Sequence, residues 1–236
     1  MNITNADIKN LKDKKFRKEH SLFMVEGEKF CKDLLGTDIE IVYTITTNKD
    51  LKDFPNIEVV SEKMLSSLAT TKTNQNIVCI CKVKDYGFNS IGNALILDNL
   101  QDPGNVGTLI RSALAFGFKD IYLIDGVDPY NEKVIRSSAG TILKVRLHQC
   151  GYEDIEKNKN KVAKNFMVAD MKGESINKIC LPKSSIAVII GNEGQGVSQI
   201  MRDMANITIS IPMSSEVESL NAGVAGSIIM QKISKI

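Results

Sequence analysis

The chain has 236 residues, of which 43% are hydrophobic and 25% are charged, and its formal net charge is +2. That composition is typical of an ordinary soluble protein of one large domain or two small ones, and the overall charge does not indicate a nucleic-acid binder. The polar N-terminus shows no signal peptide, and no apolar run approaches the ~20 residues of a membrane span, so we expect a cytoplasmic protein without membrane contact.

Cysteine and histidine residues show neither a disulfide pattern nor a metal-binding pattern. The five cysteines are an odd number without C-x-x-C spacing, which favours reduced thiols. Cys79 and Cys81 lie two residues apart, on one face of a predicted strand. His20 and His148 lack neighbours at ligand spacing, so we expect no metal site.

The first 85 residues alternate predicted helices and strands. A helical stretch at 7–20 comes first, and between Lys9 and Lys18 it carries six basic residues and one acidic residue. Predicted strands follow at 22–27, 40–47 and 77–82, with helices at 28–36 and 61–69. This alternation indicates a small α/β domain over residues 1–85.

Residues 86–92 are polar and contain glycine, which is typical of a linker. Beyond it, residues 93–236 again alternate strands with helices, which predicts a mainly parallel, three-layered sheet. The predicted strands lie at 94–98, 120–125, 143–148, 166–170, 186–192 and 207–213. The predicted helices lie at 106–117, 132–140, 152–165, 197–205 and 219–234.

Three segments of the second domain come directly after predicted strands, at the edge where open parallel sheets bind ligands. In the first, Asp102 to Gly104 form a predicted turn and Asn105 is placed to cap the next helix. Gly107 and Arg111 share a face of that helix, so a substrate could approach Arg111 past a position without a side chain. The same spacing also fits an ordinary surface arginine on a capped helix.

The second segment, Gly191 to Val197, is rich in glycine but fits neither a dinucleotide fingerprint nor a Walker loop. A tight turn would explain the glycines, and so would a ligand held against bare backbone. Glu193 disfavours phosphate and suits a ligand that is cationic or rich in hydroxyl and amino donors. The third segment leads into a helix with small residues at 222, 223 and 225–227, a pattern typical of close helix packing.

Taken together and in this order, the three segments resemble the signature motifs of the SpoU–TrmH family of the SPOUT superfamily. Its members are S-adenosylmethionine-dependent RNA ribose 2'-O-methyltransferases. The resemblance covers residues 93–236, including residues 131–145 between the first two motifs. Residues 15–30 resemble the opening of the family's substrate-binding domain, an α/β module related to ribosomal RNA-binding proteins. This layout is most similar to the ribosomal RNA branch of the family.

The resemblance implies a fold that periodicity alone does not predict. A small N-terminal α/β RNA-binding domain would precede a SPOUT domain whose C-terminal segment threads through a loop to make a trefoil knot. It also implies a homodimer with each active site near the interface, and two-fold pairs are the commonest oligomers.

Matched positions within the motifs imply two groups of site residues. The residues that contact the cofactor S-adenosylmethionine would be Gly191, Ile211 and Leu220, with Glu193, Gly196 and Met213 lining the same pocket. The catalytic residue would be Arg111, and the residues that orient the ribose and the loop would be Asn105, Ser219 and Asn221.

The role of Arg111 has two interpretations. The matching arginine is proposed as the general base in this family, although a guanidinium rarely gives up its proton. A clamp on a neighbouring phosphate, which also stabilises the developing alkoxide, is the alternative. The chain departs from the family at Gly223, because it reads SLNAGVA where many relatives read Ser-Leu-Asn-Val-Ser-Val-Ala.

The basic run near the N-terminus fits contacts to RNA phosphates, and it also fits a solvated helix face. Its candidate RNA-binding residues are Lys9, Lys12, Lys14, Lys15, Arg17 and Lys18. Because only 6% of residues are aromatic and none is tryptophan, we expect recognition of RNA shape and backbone rather than extensive base stacking.

We therefore expect an enzyme that methylates a ribose 2'-hydroxyl in ribosomal RNA. A tRNA ribose methyltransferase and a non-catalytic RNA-binding paralogue are the alternatives. An oxidoreductase that binds a nucleotide would need a ribose-binding acid after a G-x-G-x-x-G turn, and the sequence contains no such turn.

Overall fold

The computed structural model describes residues 4–70 and 76–234. The chain divides into two compact units, one of residues 1–84 with 130–135 and one of residues 85–129 with 136–236. In the described ranges, no helix is long and apolar enough to cross a membrane. The sequence predicts an RNA-binding domain over residues 1–85, a linker over 86–92 and a methyltransferase domain over 93–236. This assignment of functions to parts of the chain stays a prediction.

The first unit contains a mixed four-stranded sheet. Its strands are β1 (Leu22–Glu26), β2 (Ile41–Thr46), β3 (Ile57–Val59) and β4 (Ile77–Lys82), in the spatial order β1-β4-β2-β3. Strand β4 pairs antiparallel with β1 and β2, whereas β3 pairs parallel with β2. The helices are α1 (Asn5–Asn10), α2 (Lys14–His20), α3 (Glu28–Leu34) and α4 (Glu62–Leu68). The sequence patterns missed only β3, which is three residues long and too short for a periodic signal.

The basic stretch predicted as one helix is two helices. Asp13 is the N-cap of the second helix, because its side chain accepts a hydrogen bond from the backbone N–H of Phe16 at 3.1 Å. The N-cap of α1 is Thr4. Its side-chain oxygen accepts from the backbone N–H of Asp7 at 3.3 Å, and its own backbone N–H donates to the Asp7 carboxylate at 2.9 Å. The break between the two basic helices lies at Leu11 to Asp13.

Three cysteines lie in the core of the first unit. Cys79 and Cys81 are fully buried on β4, and Cys31 of α3 is buried as well. Burial, followed by the proximity of Cys79, raises the pKa of the Cys81 thiol well above its ordinary value. A hydrogen bond with Cys79, together with burial, likewise raises the pKa of Cys31. The thiols of Cys31 and Cys81 are therefore uncharged at neutral pH, and all three side chains pack as small apolar groups.

The second unit is built on a six-stranded sheet in which every neighbouring pair is parallel. The strands are β5 (Ala94–Asp98), β6 (Asp120–Ile124), β7 (Arg146–Cys150), β8 (Asn165–Ser175), β9 (Ile186–Gly191) and β10 (Ile207–Ser210). Their spatial order is β10-β8-β9-β5-β6-β7. The predicted parallel α/β architecture is confirmed, because β5 and β6 are buried along their whole length, as strands covered on both faces must be.

The helices that follow the predicted linker keep the predicted alternation with two local differences. They are α5 (Pro103–Ala115), α6 (Glu132–Ser137), α7 (Tyr152–Lys157), α8 (Lys159–Val162), α9 (Gln199–Met204) and α10 (Ala222–Ile233). The division between the two units falls inside α6, after residue 135. The helix predicted at 152–165 is split into α7 and α8 at Asn158, whose side chain donates to the carbonyl of Asp154 at 2.9 Å. A short 3-10 helix at Thr141–Lys144 replaces the start of the strand predicted at 143–148.

Neighbouring elements pack unusually close to the backbone at two glycines of this unit. A Cβ built on Gly173 of β8 would lie 2.5 Å from the carbonyl carbon of Ile209 on β10. A Cβ built on Gly226 of α10 would lie 2.3 Å from Cδ2 of Leu109 on α5, so the lean C-terminal helix packs tightly, as its composition predicts. Close passages of this kind suit a threaded chain, but the trefoil knot itself stays a prediction.

The segment predicted as a linker is held to the second unit by a buried acidic side chain. Asp120, at the start of β6, accepts from the backbone N–H of Ile91 at 2.7 Å and bonds Nε2 of His148 at 2.9 Å. Arg146 lies 3.3 Å from the same carboxylate and donates to the carbonyl of Tyr86 at 3.3 Å. Asp120 is fully buried, so each of these groups depends on it for a partner.

We expect Asp120→Asn to lower the free energy of unfolding by about 2 kcal/mol, because an amide carries no charge to pair with Arg146, whose Nε lies 3.3 Å from the carboxylate. Urea denaturation of the full chain measures the change. The matched control is Asp203→Asn, because Asp203 is exposed and bonds only Gln199 on its own helix. The control should change stability by less than about 0.5 kcal/mol. Equal stability of the two variants would contradict a structural role for Asp120.

Candidate functional site

Three loops leave the carboxyl edge of the parallel sheet. The first joins β5 to α5, the second follows β9, and the third joins β10 to α10. Strands β5 and β9 are neighbours in the sheet, so the first two loops emerge side by side. This edge is where open parallel sheets bind ligands, and each loop carries one of the three motif segments.

The glycine-rich loop after β9 is a tight turn closed by its own backbone. The N–H of Asn192 donates to the carbonyl of Gly196 at 3.0 Å, and the N–H of Gly196 donates back at 2.9 Å. The side-chain oxygen of Asn192 accepts from the N–H groups of Gly194 and Gln195 at 2.9 and 3.0 Å. Asn192 thus organises a loop in which sequence reasoning singled out only the glycines and Glu193.

Two glycines are required by this turn. A Cβ built on Gly191 would lie 2.3 Å from the carbonyl carbon of Gly196, and Gly196 has a φ of +71°. Gly194, by contrast, would meet only the side-chain oxygen of Asn192, at an ordinary distance of 3.6 Å. The turn alone therefore explains two of the three glycines, whereas Gly194 is exposed and is not required by the turn.

A chain of hydrogen bonds connects the three loops. The carboxylate of Glu193 accepts from Nδ2 of Asn105 at 2.9 Å. The side-chain oxygen of Asn105 accepts from Nδ2 of Asn221 at 2.8 Å. The side-chain oxygen of Asn221 then caps α10, where it accepts from the N–H groups of Gly223 and Val224 at 2.9 and 3.2 Å. One acidic and two amide side chains therefore set the relative positions of all three motif segments.

Asn105 plays a different structural role from the one predicted. The N-cap of α5 is Asp102, whose side chain accepts from the N–H of Asn105 at 2.7 Å, and Pro103 is the first residue of the helix. Asn105 lies inside the first turn. Its side chain is therefore not used as a cap and bridges Glu193 and Asn221 instead.

Glu193 is held as a carboxylate. Burial alone would raise its pKa, but hydrogen bonds from Asn105 and from backbone N–H groups, including those of Gln101 and Asp102, lower the pKa below the ordinary 4.5. The stabilisation from the ionised form is thus present above that pH and is lost as the pH falls through the lowered pKa. A negative charge at this position suits a cationic ligand.

Arg111 lies on α5 with its guanidinium available. The residue is exposed, and within the described ranges its side chain has no hydrogen bond or ion pair. The idea that a substrate passes over Gly107 is wrong, because Gly107 is buried against Ser137, whose Oγ would lie 1.9 Å from an added Cβ. The glycine serves the close approach of α5 to residues 137–138.

The loop before α10 presents apolar side chains and unpaired backbone. Ile211, Met213 and Leu220 are half-buried, and in the described ranges their backbone N–H groups have no backbone acceptor. Gly191 is half-buried, whereas Glu193 and Gly196 are exposed. Ser219 is exposed and has no hydrogen bond to any described residue, so it is not part of the chain through Asn105.

A second acidic residue supports the glycine-rich loop. Asp98, at the end of β5, is only 1% exposed. Its carboxylate accepts from the N–H of Ser198 at 2.7 Å and from the hydroxyl of Tyr152 at 2.7 Å. Sequence reasoning missed this residue, although a buried strand that ends in aspartate is a recognisable signal for a carboxylate at a ligand-binding edge.

Most of the basic residues predicted to contact RNA are exposed. Lys9 lies on α1, and Lys14, Lys15 and Lys18 lie on α2. Lys12 is exposed in the turn between the two helices, where its Nζ donates to the carbonyl of Ala69 at 2.9 Å. Arg17 is the exception. Its side chain is buried, with 6% of the residue exposed, and its guanidinium donates to the carbonyl of Leu11 at 2.6 Å. Arg17 therefore joins the two short helices and does not present its charge to solvent.

Among residues 4–70 and 76–234, no three histidine, cysteine, aspartate or glutamate side chains are grouped so as to hold a metal ion. The polar groups at the sheet edge bond one another instead.

Family comparisons match nearly the whole chain. Residues 92–231 match the model described as the SpoU rRNA Methylase family, and residues 5–79 match the model described as an MRM3-like substrate binding domain. The chain is 32% identical over 234 residues to the 23S rRNA (guanosine(2553)-2'-O)-methyltransferase RlmP of Bacillus subtilis, covering 95% of this chain and 93% of that protein.

Solved structures share the fold over both parts of the chain. An AdoMet-bound rRNA methyltransferase from Sinorhizobium meliloti superposes with a TM-score of 0.86 at 24% identity, covering 97% of this chain and 93% of that one. The SpoU methyltransferase AviRb from Streptomyces viridochromogenes, in complex with AdoMet, gives a TM-score of 0.85 at 19% identity, covering 99% and 97%.

Proposed function

The chain belongs to the SpoU rRNA methylase family and is an RNA methyltransferase, and we propose that it methylates a ribose 2'-hydroxyl of ribosomal RNA with S-adenosylmethionine as methyl donor. The observation that supports this most is the hydrogen-bonded chain from Glu193 through Asn105 to Asn221. It draws the three motif loops to one point at the carboxyl edge of the sheet. Arg111 projects from the helix that begins there.

The residues present fit the proposed cofactor. Half-buried apolar side chains at 211, 213 and 220 offer contact area for an adenosyl group, and their backbone N–H groups, which have no backbone acceptor within the described ranges, can recognise its polar edge. The exposed glycines at 194 and 196 allow a ligand to approach the backbone of the turn closely. The ionised carboxylate of Glu193 is compatible with a cation. We therefore assign Gly191, Glu193, Gly196, Ile211, Met213 and Leu220 to the cofactor site.

The chemistry divides between the cofactor and the chain's own residues. S-adenosylmethionine supplies a methyl group activated by a positively charged sulfur. Asn105 and Asn221 fix the loops so that a ribose hydroxyl can be held in line, and orientation of this kind can contribute about 7–11 kcal/mol. Ser219, which is exposed beside Asn221, has a hydroxyl available to the ribose.

Arg111 acts, in our proposal, on the RNA rather than on the cofactor. Its guanidinium keeps its proton at neutral pH, so we favour a clamp on a phosphate next to the reacting ribose over a general base. A charged planar fork also stabilises the alkoxide that develops as the hydroxyl loses its proton. The guanidinium has no competing partner within the described ranges, which leaves it available for RNA.

Gly223 does not by itself favour a non-catalytic paralogue. A Cβ at this position would lie 3.1 Å from the side-chain oxygen of Asn221 and 3.4 Å from that of Asn105. A serine here would press on the hydrogen bond that joins the two amides. Glycine leaves that bond room, so the chain replaces a possible hydroxyl contact with a direct Asn105–Asn221 contact.

The ribosomal substrate is favoured over tRNA by two observations. The front part of the chain matches a substrate-binding domain model, and RlmP, which the chain resembles over almost its full length, is named for 23S rRNA. Four exposed lysines on α1 and α2, with Lys12 in the turn between the helices, can contact phosphates, so binding should weaken as salt rises. An enzyme of ribosomal RNA would act in the cytoplasm.

We also propose a homodimer formed through α10. Val224 and Ile228 are 47% and 40% exposed and lie four residues apart, on one face of this helix. Asn221 caps the same helix, so an interface here would lie beside the proposed active site.

Ile228→Asp should convert a dimer into a monomer, because a carboxylate would be desolvated at the centre of the interface. Light scattering after size-exclusion chromatography measures the mass. The matched control is Val59→Asp, because Val59 is 46% exposed but lies on β3 of the first unit and not on α10. A monomeric wild-type protein, or a dimer that survives Ile228→Asp, would contradict the proposal.

Methylation mapping tests the proposed function. Ribosomal RNA from cells that lack the protein is incubated with the purified protein and S-adenosylmethionine, and alkaline hydrolysis followed by sequencing locates new 2'-O-methyl groups. We expect one resistant linkage in ribosomal RNA and none in tRNA. A resistant linkage only in tRNA would support the alternative enzyme. Tight RNA binding without methyl transfer would support the non-catalytic paralogue.

A further inference from the structure

A five-residue excursion interrupts the pairing of β8 with β10. Thr208 pairs with Val168, but the next residue, Ile209, pairs with Glu174. Residues 169–173 of β8 therefore project from the ladder between two paired stretches. Sequence patterns predicted a strand that ends at residue 170 and gave this excursion no role.

One end of the excursion is connected to the base of the glycine-rich loop through Arg202. Asp170 forms an ion pair with Nη1 of Arg202 on α9, and Nε of Arg202 donates to the carbonyl of Val197 at 3.0 Å. The other guanidinium nitrogen lies 3.4 Å from the position of a Cβ on Gly196. The guanidinium therefore lies beside Gly196 and Val197, the last two residues of the loop, and donates to the carbonyl of Val197.

The other end of the excursion touches the start of the third loop. Gly173 packs against the backbone of Ile209 so closely that an added Cβ would lie 2.5 Å from its carbonyl carbon. The hydroxyl of Ser210 donates to the carbonyl of Gly173 at 2.8 Å, and Ile211 follows directly. Residues 169–173 are thus connected to both segments that carry the proposed cofactor residues, directly at Ser210 and through Arg202 at Val197.

We propose that residues 169–173 are a brace that fixes the spacing of these two loops, and that Asp170 and Arg202 are positioning residues for S-adenosylmethionine. The inference rests on the proposed function for the identity of the ligand. Neither residue belongs to the motif positions matched by the family resemblance. Their effect reaches the cofactor through the Val197 carbonyl and the Gly196 backbone, without a direct contact.

Arginine suits this position for a geometric reason. Its planar fork bonds the Val197 carbonyl with one nitrogen and the Asp170 carboxylate with another, which a lysine ammonium on a flexible stem cannot reproduce in the same arrangement. Asp170 is itself oriented, because its second oxygen accepts from the N–H of Lys172 at 2.9 Å. The excursion thus holds its own acidic residue in place.

The test combines two measurements on the full-length protein. Hydrogen exchange of peptides that span residues 191–198 and 209–213 reports loop order without any ligand, and calorimetry with S-adenosylmethionine reports affinity. We expect Arg202→Gln to speed exchange in both peptides and to raise the Kd roughly tenfold, which corresponds to the loss of one hydrogen bond to a charged group. Arg202→Lys should recover less than half of the loss on a logarithmic scale, and KM for RNA should not change.

Asp203→Asn is the control, because Asp203 neighbours Arg202 on α9 but points to Gln199 in solvent. It should alter neither exchange nor affinity. Unchanged exchange and unchanged Kd in Arg202→Gln would overturn the brace. If the wild-type protein does not bind S-adenosylmethionine but Arg202→Gln still speeds exchange, then the brace stands and the proposed function fails.

Discussion

Arg111→Ala is expected to lower kcat/KM for RNA methylation by about 10³-fold, while the Kd for S-adenosylmethionine changes by less than about threefold. The guanidinium is exposed and has no partner within the described ranges, so its loss removes no contact that the free protein uses. The free energy of unfolding should therefore change by less than about 0.5 kcal/mol. Steady-state kinetics on ribosomal RNA, together with calorimetry and urea denaturation, measures the three quantities.

Arg111→Lys separates the two roles of the guanidinium. A phosphate clamp predicts a rate that stays low at every pH, because an ammonium carries the charge but not the planar fork. A general base predicts that the lysine variant recovers activity as pH rises towards the range where an ammonium loses its proton. Lys119→Ala removes an exposed cation at the end of the same helix–strand connection and should leave kcat/KM near the wild-type value. Wild-type kinetics in Arg111→Ala would remove this residue from the mechanism.

The parallel sheet could be predicted from sequence because its strands carry strong local signals. Strands such as β5 and β9 are continuous apolar runs, and each is followed by a turn and a helix with an apolar face. Such patterns lie within about ten residues of one another and need no knowledge of the tertiary fold. The same reasoning failed for β3, whose three residues are set by pairing with β2.

The sequence indicates where the candidate site lies, but it does not indicate which side chains form hydrogen bonds with one another there. Loops that follow parallel strands meet at one edge, so the three motif segments could be brought together by topology alone. The bond between Asn105 and Asn221 joins residues 116 positions apart, and no spacing rule relates two such amides. Pro103, a residue typical of the first helical position, was the signal that Asp102 caps α5 and that Asn105 lies inside it.

The predictions from sequence were wrong for the environments of Arg17 and Gly107, because both residues are buried in the folded chain. Arg17 lies in a run of basic residues that the sequence predicts to be on the surface. In the structure a new helix begins after Asp13, and the side chain of Arg17 is buried and donates to the carbonyl of Leu11. The sequence suggests that Gly107 leaves room for a substrate beside Arg111. In the structure this room is occupied by Ser137, from a separate part of the chain. Both cases depend on a neighbour that only the folded structure supplies.

Gly191→Ala is expected to weaken S-adenosylmethionine binding by about 100-fold, which is close to 2.7 kcal/mol, and to lower the free energy of unfolding by about 3 kcal/mol. The added Cβ would lie 2.3 Å from two backbone atoms, the carbonyl carbon of Gly196 and the nitrogen of Val197. Backbone cannot rotate aside as the end of a side chain can. The turn must therefore open, and the hydrogen bonds between Asn192 and Gly196 must lengthen or break.

Gly194→Ala is the matched substitution, because it adds the same methyl group to the same loop. Its Cβ would meet only the side-chain oxygen of Asn192, at 3.6 Å, and the residue does not have a positive φ. Stability should stay within about 0.5 kcal/mol of wild type, and any loss of affinity should reflect contact with the ligand alone. Calorimetry and urea denaturation of the two variants compare the effects directly. If both variants bind the cofactor as tightly as wild type, the glycine-rich turn does not form the cofactor site, because a loop forced open at Gly191 could not keep the same surface.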